Sequence, residues 1–429
     1  MSVTPLEKWI MEDASINGRD SMEKYQADRI KEITNYVKNN SSFYRDHFRN
    51  TCTTGISSLH DMESLPFTYS EDIAGFPSRF LCIPQKYVKR IVTLKTSGTS
   101  GTEKRIFFTE HDLSMTVDFF TNGFKAMVDE NDRVMIMMPG NTYGSVGRII
   151  KKSLDHLNIR NFIYGPLKNS DDAADFIAKN NINTLVAMPV QTMILSRIKK
   201  SVFLQNIKRV MLSADYVPEI LIKKLKTEYG CQVFTHYGMT EAGYGCAVEC
   251  NLQNGYHIRE NDIYLEIVNP ETGNVLKDGS WGEIAITTLK RQAMPLIRYR
   301  TGDWGCFETS GCQCGTFLKT LKRSKGRIGN RICFEGGRHI NMIELDEVIF
   351  AYDSVLDYNM EISGDSAVTA LYMLDECMSD TGKIEKSINE MFHDNSINTN
   401  VVVIARKKED LSFPQNTMAK RRIISHNLL

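Results

Sequence analysis

Residues 95–105 read Lys-Thr-Ser-Gly-Thr-Ser-Gly-Thr-Glu-Lys-Arg, the most informative stretch of the chain. Gly98 and Gly101 stand among four hydroxyl side chains, Thr96, Ser97, Thr99 and Ser100. Glycine lets the backbone turn successive N–H groups toward one point, and the hydroxyls add further donors. Lys104 and Arg105 follow with positive charge. Such an assembly suits a polyphosphate. It is not a Walker A loop, because Glu103 stands five residues after Gly98, where that motif needs a second glycine followed by Lys and Ser/Thr. A Ser/Thr/Gly run can also be an ordinary polar loop, so the rest of the chain has to decide.

Three further segments follow in order: Phe234-Thr235-His236-Tyr237-Gly238-Met239-Thr240-Glu241, then Leu296-Ile297-Arg298-Tyr299-Arg300-Thr301-Gly302-Asp303, then Gly326-Arg327. With the loop, this set resembles the adenylate-forming superfamily of acyl-CoA synthetases, luciferases and peptide-synthetase adenylation domains. The loop is similar to that family's TSGTTG-type phosphate loop, and the others to its YGxTE motif, its YRTGD motif and its interdomain GR turn. The resemblance runs over about residues 20–425 and is closer to the phenylacetate–CoA ligase branch. That branch is short, has a helical N-terminus like Ala27–Phe48, and carries a glycine stretch like Tyr143-Gly144-Ser145-Val146-Gly147. It also has an acidic–cysteine step like Glu249-Cys250 and a Cys-x-Cys-Gly like Cys312-Gln313-Cys314-Gly315.

Composition narrows the alternatives. A length of 429 residues suggests two or three domains, and 42% hydrophobic residues supply ample core. The 52 basic and 52 acidic side chains balance, which gives no electrostatic reason to expect nucleic acid or an anionic membrane as partner. No apolar run reaches the ~18 residues of a membrane span. Residues Met1–Lys8 lack an apolar signal core, so a cytoplasmic protein is expected. Its ten cysteines then read as reduced thiols or metal ligands rather than a disulfide framework. A homodimer is left open.

The hydrophobic pattern assigns an α/β fold. Residues 21–38 place Met22, Tyr25, Ile30, Ile33 and Val37 near helical spacing. Val134–Met138, Thr184–Met188 and Arg209–Leu212 are short apolar runs that end at Pro, Gly or Ser/Asp turns, with helical stretches between them. That pattern predicts a parallel sheet with crossover helices, in which ligands bind beyond the strand carboxyl ends. From about 256 the pattern turns to hairpins: Ile263–Val268, a turn at 269–274, then Trp281–Thr288. The expected architecture is a large N-terminal adenylation core over 1–326, with mainly parallel sheets and a small β-barrel-like subdomain. A C-terminal α+β lid over 330–429 follows, with a hinge near 326–330.

The resemblance implies roles. Activating a carboxylate with ATP needs the triphosphate held, the α-phosphate charge offset and the ribose oriented for in-line attack. Thr96, Ser97, Gly98, Thr99, Ser100, Gly101 and Lys104 would hold the β- and γ-phosphates. Glu241 would bind Mg²⁺, a hard oxygen for a hard ion, and Thr240 would contact the α-phosphate. His236, Tyr237, Gly238 and Met239 complete the motif, with Tyr237 against the adenine. The segment Ser213-Ala214-Asp215 would flank the adenine as well. Asp303 would accept hydrogen bonds from both ribose hydroxyls, with Arg327 assisting. The family's catalytic lysine falls on Lys420, although the residue before it is Ala419 rather than the usual glycine. The hinge departs too: the family commonly reads Gly-Arg-x-Asp-Asp, whereas this chain reads Gly326-Arg327-Ile328-Gly329-Asn330.

A metal set stands apart from these motifs. Cys250, His257, Cys312 and Cys314 form a Cys₃His group suited to tetrahedral Zn²⁺, which four protein ligands would make structural. The hairpin region between them could bring the halves together. Four reduced residues without metal are the alternative. The acyl pocket is expected near Tyr143–Arg148, Met188–Gln191 and His236, apolar and of aromatic size. The resulting expectation is a ligase that forms an acyl-AMP from ATP·Mg²⁺ and a carboxylic acid, with aryl acids among the candidates, releasing pyrophosphate, and then a thioester with coenzyme A. Transfer to a carrier thiol, carrier protein or amine, or a degenerate nucleotide-binding protein without turnover, remain alternatives.

Overall fold

The structure, a computed structural model, describes residues 3–53, 55–95, 103–334, 338–363, 366–411 and 424–426. The chain forms two compact units, each discontinuous in sequence. The first comprises Met1–Glu130, Asn141–Ile159 and Thr235–Lys325, and the second Asn131–Gly140, Arg160–Phe234 and Gly326–Leu429. The chain last passes from one to the other between Lys325 and Gly326.

The first unit opens with helices at Pro5–Ala14, Arg19–Asn40 and Ser42–His47. Met22, Ile30, Ile33 and Val37 are buried, as their helical spacing predicts. The strands Arg90–Lys95 and Glu103–Phe108 pair antiparallel with Lys95 opposite Glu103, so their connection is 96–102. Strand alternation sends Lys104, Ile106 and Phe108 inward, all buried. Thr109 and Asp112 form a capping box that starts the helix Glu110–Phe124, whose Phe119, Phe120 and Phe124 enter the core.

Two antiparallel sheets follow in this unit. Ile263–Val268, Gly282–Thr288 and Tyr299–Gly305 make a three-stranded meander, the region expected to be barrel-like. The second ladder aligns His236 with Val248, Val248 with His257 and His257 with Thr320.

In the second unit the strands Arg160–Ile163, Arg133–Ile136, Thr184–Ala187 and Arg209–Leu212 pair in that order, all parallel. Their inner residues, such as Met135, Leu185 and Val210, are fully buried, as a sheet covered on both faces requires. The same buried cluster continues into Leu345, Phe350 and Leu356 of the C-terminal stretch. That stretch carries a sheet of Asn400–Lys407, Ser366–Met373, Val355–Ser363 and Ile424–His426, with helices Met342–Ile349 and Thr381–Asp394. Reciprocal helix caps fasten it within the unit. Arg197 donates to the carbonyls of Phe350 (2.7 Å) and Val355, just past the carboxyl end of Met342–Ile349. Glu347 accepts from the N–H groups of Glu219 (2.6 Å) and Ile220 (2.9 Å) at the start of Glu219–Thr227. Among the described residues no helix is long and apolar enough to cross a membrane.

Candidate active site

Thr96, Ser97, Gly98, Thr99, Ser100 and Gly101 lie outside the described residues, and so does Lys420. The strand that leaves the loop is described, and its second residue, Lys104, is the first anchor of the site. Its ammonium forms an ion pair with the Glu241 carboxylate. Tyr299 completes a triangle: its hydroxyl accepts from Lys104 Nζ at 3.2 Å and donates to Glu241 Oε1 at 3.3 Å. Lys104 and Glu241 are 7% and 3% exposed, so this charge pair is withdrawn from bulk water. Three motifs far apart in sequence therefore converge on one carboxylate.

The backbone around Glu241 explains its placement. Met239 is extended, Thr240–Ala242 make one tight turn, and Tyr244 N–H closes the loop on Met239 O at 2.8 Å. Gly238 is obligatory here, because a Cβ at that position would lie 1.8 Å from the Tyr244 carbonyl oxygen. Arg291, 3% exposed, reaches under the turn. Its guanidinium donates to the Glu241 carbonyl and, at 2.8 Å, to the Phe107 carbonyl, and lies 4.6 Å from the Phe108 ring centre. Phe108 in turn stacks on Tyr244 at 5.2 Å with an 8° interplanar angle. The next two residues donate from their backbone N–H groups to Asp112, at 2.8 Å from Gln292 and 3.1 Å from Ala293. One buried arginine thus fastens the Glu241 turn to the strand leaving the loop.

Tyr237 and Asp303 form a second pair. The Tyr237 hydroxyl donates to Asp303 Oδ2 at 3.0 Å. Burial, with the neighbouring Asp303 charge adding, holds the phenol well above its usual range, so it stays a donor. The strand bearing Asp303 is anchored along its length. Arg298 makes a two-pronged contact with Glu266 at 3.1 and 2.9 Å, and Gly302 N–H donates to Glu283 at 2.9 Å. Asp303 N–H donates to Thr301 Oγ1 at 3.0 Å. Arg298 itself adopts φ 47°, a left-handed conformation that costs a non-glycine residue ~1 kcal/mol or more. Its ion pair and its bonds to the carbonyls of Glu63 and Leu65 hold it there.

His236 packs against Phe120 at 5.4 Å between ring centres. Burial pushes its imidazole down to about 4, so the ring is neutral at neutral pH. Tyr244 links this region to the expected acyl pocket by donating to Gly144 O at 3.2 Å. Ser213, Ala214 and Asp215 lie in the second unit, directly after the strand Arg209–Leu212. Ser213 N–H donates to Ala187 O at 3.0 Å, Ala214 takes φ 73°, and Asp215 accepts from Tyr216 N–H at 2.9 Å. Arg327 is also in the second unit, with extended backbone before the short turn Ile328–Asn330. Of the residues singled out from sequence, the first unit gathers Lys104, His236, Tyr237, Gly238, Met239, Thr240, Glu241 and Asp303.

Two contributors carried no assigned role in the sequence. Tyr299 sits inside the YRTGD-like motif and could have been suspected from it. Arg291 lies outside every motif, and only its burial reveals it.

Cys250, His257, Cys312 and Cys314 form a separate cluster. Cys250 follows the strand Ala247–Glu249, His257 lies in Tyr256–Ile258, and the other two occupy the loop before Thr320. Their ligand atoms all lie within 4.8 Å of one another. Cys250 Sγ is 3.8 Å from Cys312 Sγ, and Cys314 Sγ is 3.4 Å from His257 Nε2. A sulfur–sulfur distance of 3.8 Å is far beyond a disulfide, ~2.05 Å. It is close to the ~3.8 Å edge of a tetrahedron with zinc–sulfur bonds of ~2.3 Å. His257 Nδ1 pairs with Thr320 Oγ1 at 3.3 Å, which leaves Nε2 toward the sulfurs. Burial takes His257 down to about 4, leaving the neutral imidazole that metals bind. Gly311 and Gly315 bracket the two thiols with φ 65° and 84°, the left-handed turn geometry such a knuckle needs. The donor set and its spacing fit a tetrahedral ion.

Comparison with known proteins gives the geometry its context. Residues 91–290 match the family model described as AMP-binding enzyme. The phenylacetate–coenzyme A ligase of Thermus thermophilus is 24% identical over 352 residues, 79% of this chain and 78% of that one. The ligase of the same name from Escherichia coli is 24% identical over 368 residues, 82% and 81% of the two chains. Among solved structures, 2-hydroxyisobutyryl-CoA ligase in the postadenylation state with 2-HIB-AMP superposes with a TM-score of 0.80. That comparison has 15% identity and covers 94% of this chain and 89% of the other. ATP-bound MatB from Rhodopseudomonas palustris gives 0.55 at 16% identity, over 79% and 67%. The AMP-binding enzyme match covers residues 91–290, and the chain as a whole is similar to adenylate-forming enzymes, with phenylacetate–coenzyme A ligases among its relatives.

Proposed function

We propose that this protein is an AMP-forming acid–thiol ligase. In the first step the carboxylate of an acid attacks the α-phosphorus of ATP, the bond to the β-phosphate breaks, and pyrophosphate leaves with its electron pair. In the second step a thiol, coenzyme A, attacks the acyl carbon. The thiol loses its proton, AMP departs, and a thioester remains. The observation that carries this reading is the convergence of Lys104, Glu241 and Tyr299 on one buried point, beside Tyr237 paired with Asp303.

The roles follow from the groups. Lys104 supplies positive charge to the polyphosphate, together with the loop 96–101. Glu241 offers a carboxylate oxygen to a divalent cation, and a bound magnesium ion would offset phosphate charge there. Thr240, one residue away, would contact the α-phosphate. Asp303 accepts from the ribose hydroxyls, and Tyr237, bonded to it, covers the adenine. Ser213–Asp215 and Arg327 would complete the nucleotide site. Neutral His236 with Phe120 supports an apolar, aryl-sized acyl pocket. Lys420 would balance charge during adenylation from a C-terminal lid that turns at 326–330. Cys250, His257, Cys312 and Cys314 would hold a structural Zn²⁺.

The test is pyrophosphate release from ATP·Mg²⁺ against a panel of aryl and short-chain acids, with coenzyme A, a carrier-protein thiol or an amine as acceptor. Acid-dependent release followed by thioester formation with coenzyme A is the expected result. Release that is coupled only to one of the other acceptors would correct the second step. Measurable ATP binding without release for any acid would sink the proposal and leave a nucleotide-binding protein.

A further inference from the structure

Three successive backbone carbonyls of the Glu241 turn are each held by a buried side chain from a different part of the chain. Arg291 donates to Glu241 O, Arg259 Nη2 to Ala242 O at 3.4 Å, and Thr116 Oγ1 to Gly243 O at 2.9 Å. Arg259 lies outside the motifs of the site, yet it is only 2% exposed. Its bonding is loose. A 3.4 Å contact is well beyond the ~2.9 Å of a strong N–H···O bond. Its Nε lies 3.5 Å from Asp262 Oδ2, and neither Nε nor Nη1 donates a hydrogen bond among the described residues. A buried guanidinium with donors to spare has free energy to gain from a small shift.

The same guanidinium lies 5.0 Å from the ring centre of Phe119, on the helix Glu110–Phe124 that also supplies Thr116. Phe119 sits tight against the backbone leaving the turn, where a Cβ on Gly245 would stand 2.3 Å from its ring. It also meets Phe120 at 5.3 Å, and Phe120 meets His236 at 5.4 Å. We infer that Arg259 is a positioning residue that couples acid binding to nucleotide binding. The inference rests on the reading of His236 and Phe120 as wall of the acyl pocket and of Glu241 as the cation ligand. An acid seated against that wall restricts Phe119. The restricted ring fixes the guanidinium, and its bond to Ala242 O tightens. The turn that presents Glu241 is then settled before the nucleotide arrives. Coupling between two binding equilibria is reciprocal, so bound nucleotide strengthens acid binding by the same factor.

The test is calorimetric binding of α,β-methylene-ATP with Mg²⁺, an analogue whose α–β bridge does not cleave. It is measured with and without a saturating acid, the one that supports the fastest pyrophosphate release in a panel starting from benzoate and butyrate. Wild type, Arg259→Met, Arg259→Lys and Phe119→Leu are compared, with folding verified by circular dichroism and thermal melting. Wild type should bind the analogue at least about fivefold more tightly with the acid present. In Arg259→Met that gain should fall below about twofold, and Arg259→Lys, which keeps a cation and donors, should recover part of it. Phe119→Leu bonds to no carbonyl of the turn, so it should bind the analogue alone like wild type and still lose the gain. If Arg259→Met does not fold, Arg259→Lys and Phe119→Leu carry the test. The inference fails if wild type shows no gain, or if the gain survives Arg259→Met or Phe119→Leu, which would leave Arg259 a purely structural residue. No pyrophosphate release with any acid of the panel overturns the ligase reading in wild type, before any variant is made, and this inference with it.

Discussion

Arg291 shows how much of the site depends on a residue with no ligand of its own. It is buried, its guanidinium is bonded to two backbone carbonyls and lies against an aromatic face, and the Asp112 and Glu241 carboxylates act on its charge. A planar guanidinium can bridge the Glu241 and Phe107 carbonyls at once, whereas an ammonium is a point donor. Arg291→Met would leave two buried carbonyls unsatisfied, at a cost of ~1–3 kcal/mol each. The variant should therefore lose stability, and it should also raise KM for ATP·Mg²⁺ about tenfold, because the Glu241 turn is no longer held. KM for the acid should stay near wild type, and Arg291→Lys should recover part of the loss. A simple fall in kcat with both KM values unchanged would mean that Arg291 only supports folding. This residue was illegible in the sequence because no periodicity or motif marks a lone arginine between Lys290 and Gln292. Glu241 and Asp303, by contrast, stand in short motifs that the sequence spells out, Glu241 on a tight turn and Asp303 on a strand.

At the scale of elements, the metal cluster joins segments that local pattern cannot connect. Cys250 directly follows one strand of a ladder and His257 lies on the next, and Cys312 and Cys314 reach them from a loop more than fifty residues on. The strand leading to Cys250 is fixed by Glu249, which accepts from Thr235 N–H at 2.7 Å and pairs with Arg323 at 2.7 Å. The loop holding the other two thiols has no comparable regular structure of its own, so a bound ion would be its main restraint. Apparent binding energies for structural zinc reach ~10 kcal/mol or more in small domains. Cys312→Ser should thus lower zinc content and melting temperature together, and a strong chelator should reproduce the loss in wild type. Purified wild-type protein without stoichiometric metal would end the idea. The elements around the cluster were only partly readable beforehand. The hairpin strands Ile263–Val268 and Trp281–Thr288 were read around the turn at 269–274, and the structure has Ile263–Val268 and Gly282–Thr288, but the three-residue strands beside them carry too few positions to show a period.

At the scale of the whole molecule, the chain condenses into two compact units that each draw on segments distant in sequence. Parallel strands with crossover helices were visible because fully buried strands read as unbroken apolar runs. The sharing of one buried cluster between Leu185 and Leu345 was not, since nothing local records which surfaces meet. Burial on this scale also sets the response to acid. Glu249, Glu260, Asp262 and Glu266 are buried carboxyls whose affinity for protons is raised, chiefly by burial and despite basic neighbours. They bind protons more readily folded than unfolded, so each favours the fold more as pH falls through its raised folded value. His236 works in the opposite sense. Its folded value of about 4 lies below the unfolded 6.5, so between these the unfolded chain binds the extra proton. Its contribution is intact above pH 6.5 and is lost as pH falls toward 4. Comparing wild type with His236→Asn isolates this one group from the carboxyls. The stability difference between the two proteins should be flat from pH 8 to 7, then shift against wild type by up to ~2 kcal/mol at pH 4.5. Denaturant titrations at half-unit intervals would show it. A difference that stays constant across that range would mean that His236 titrates as it does in water and that its ring is not sealed against Phe120.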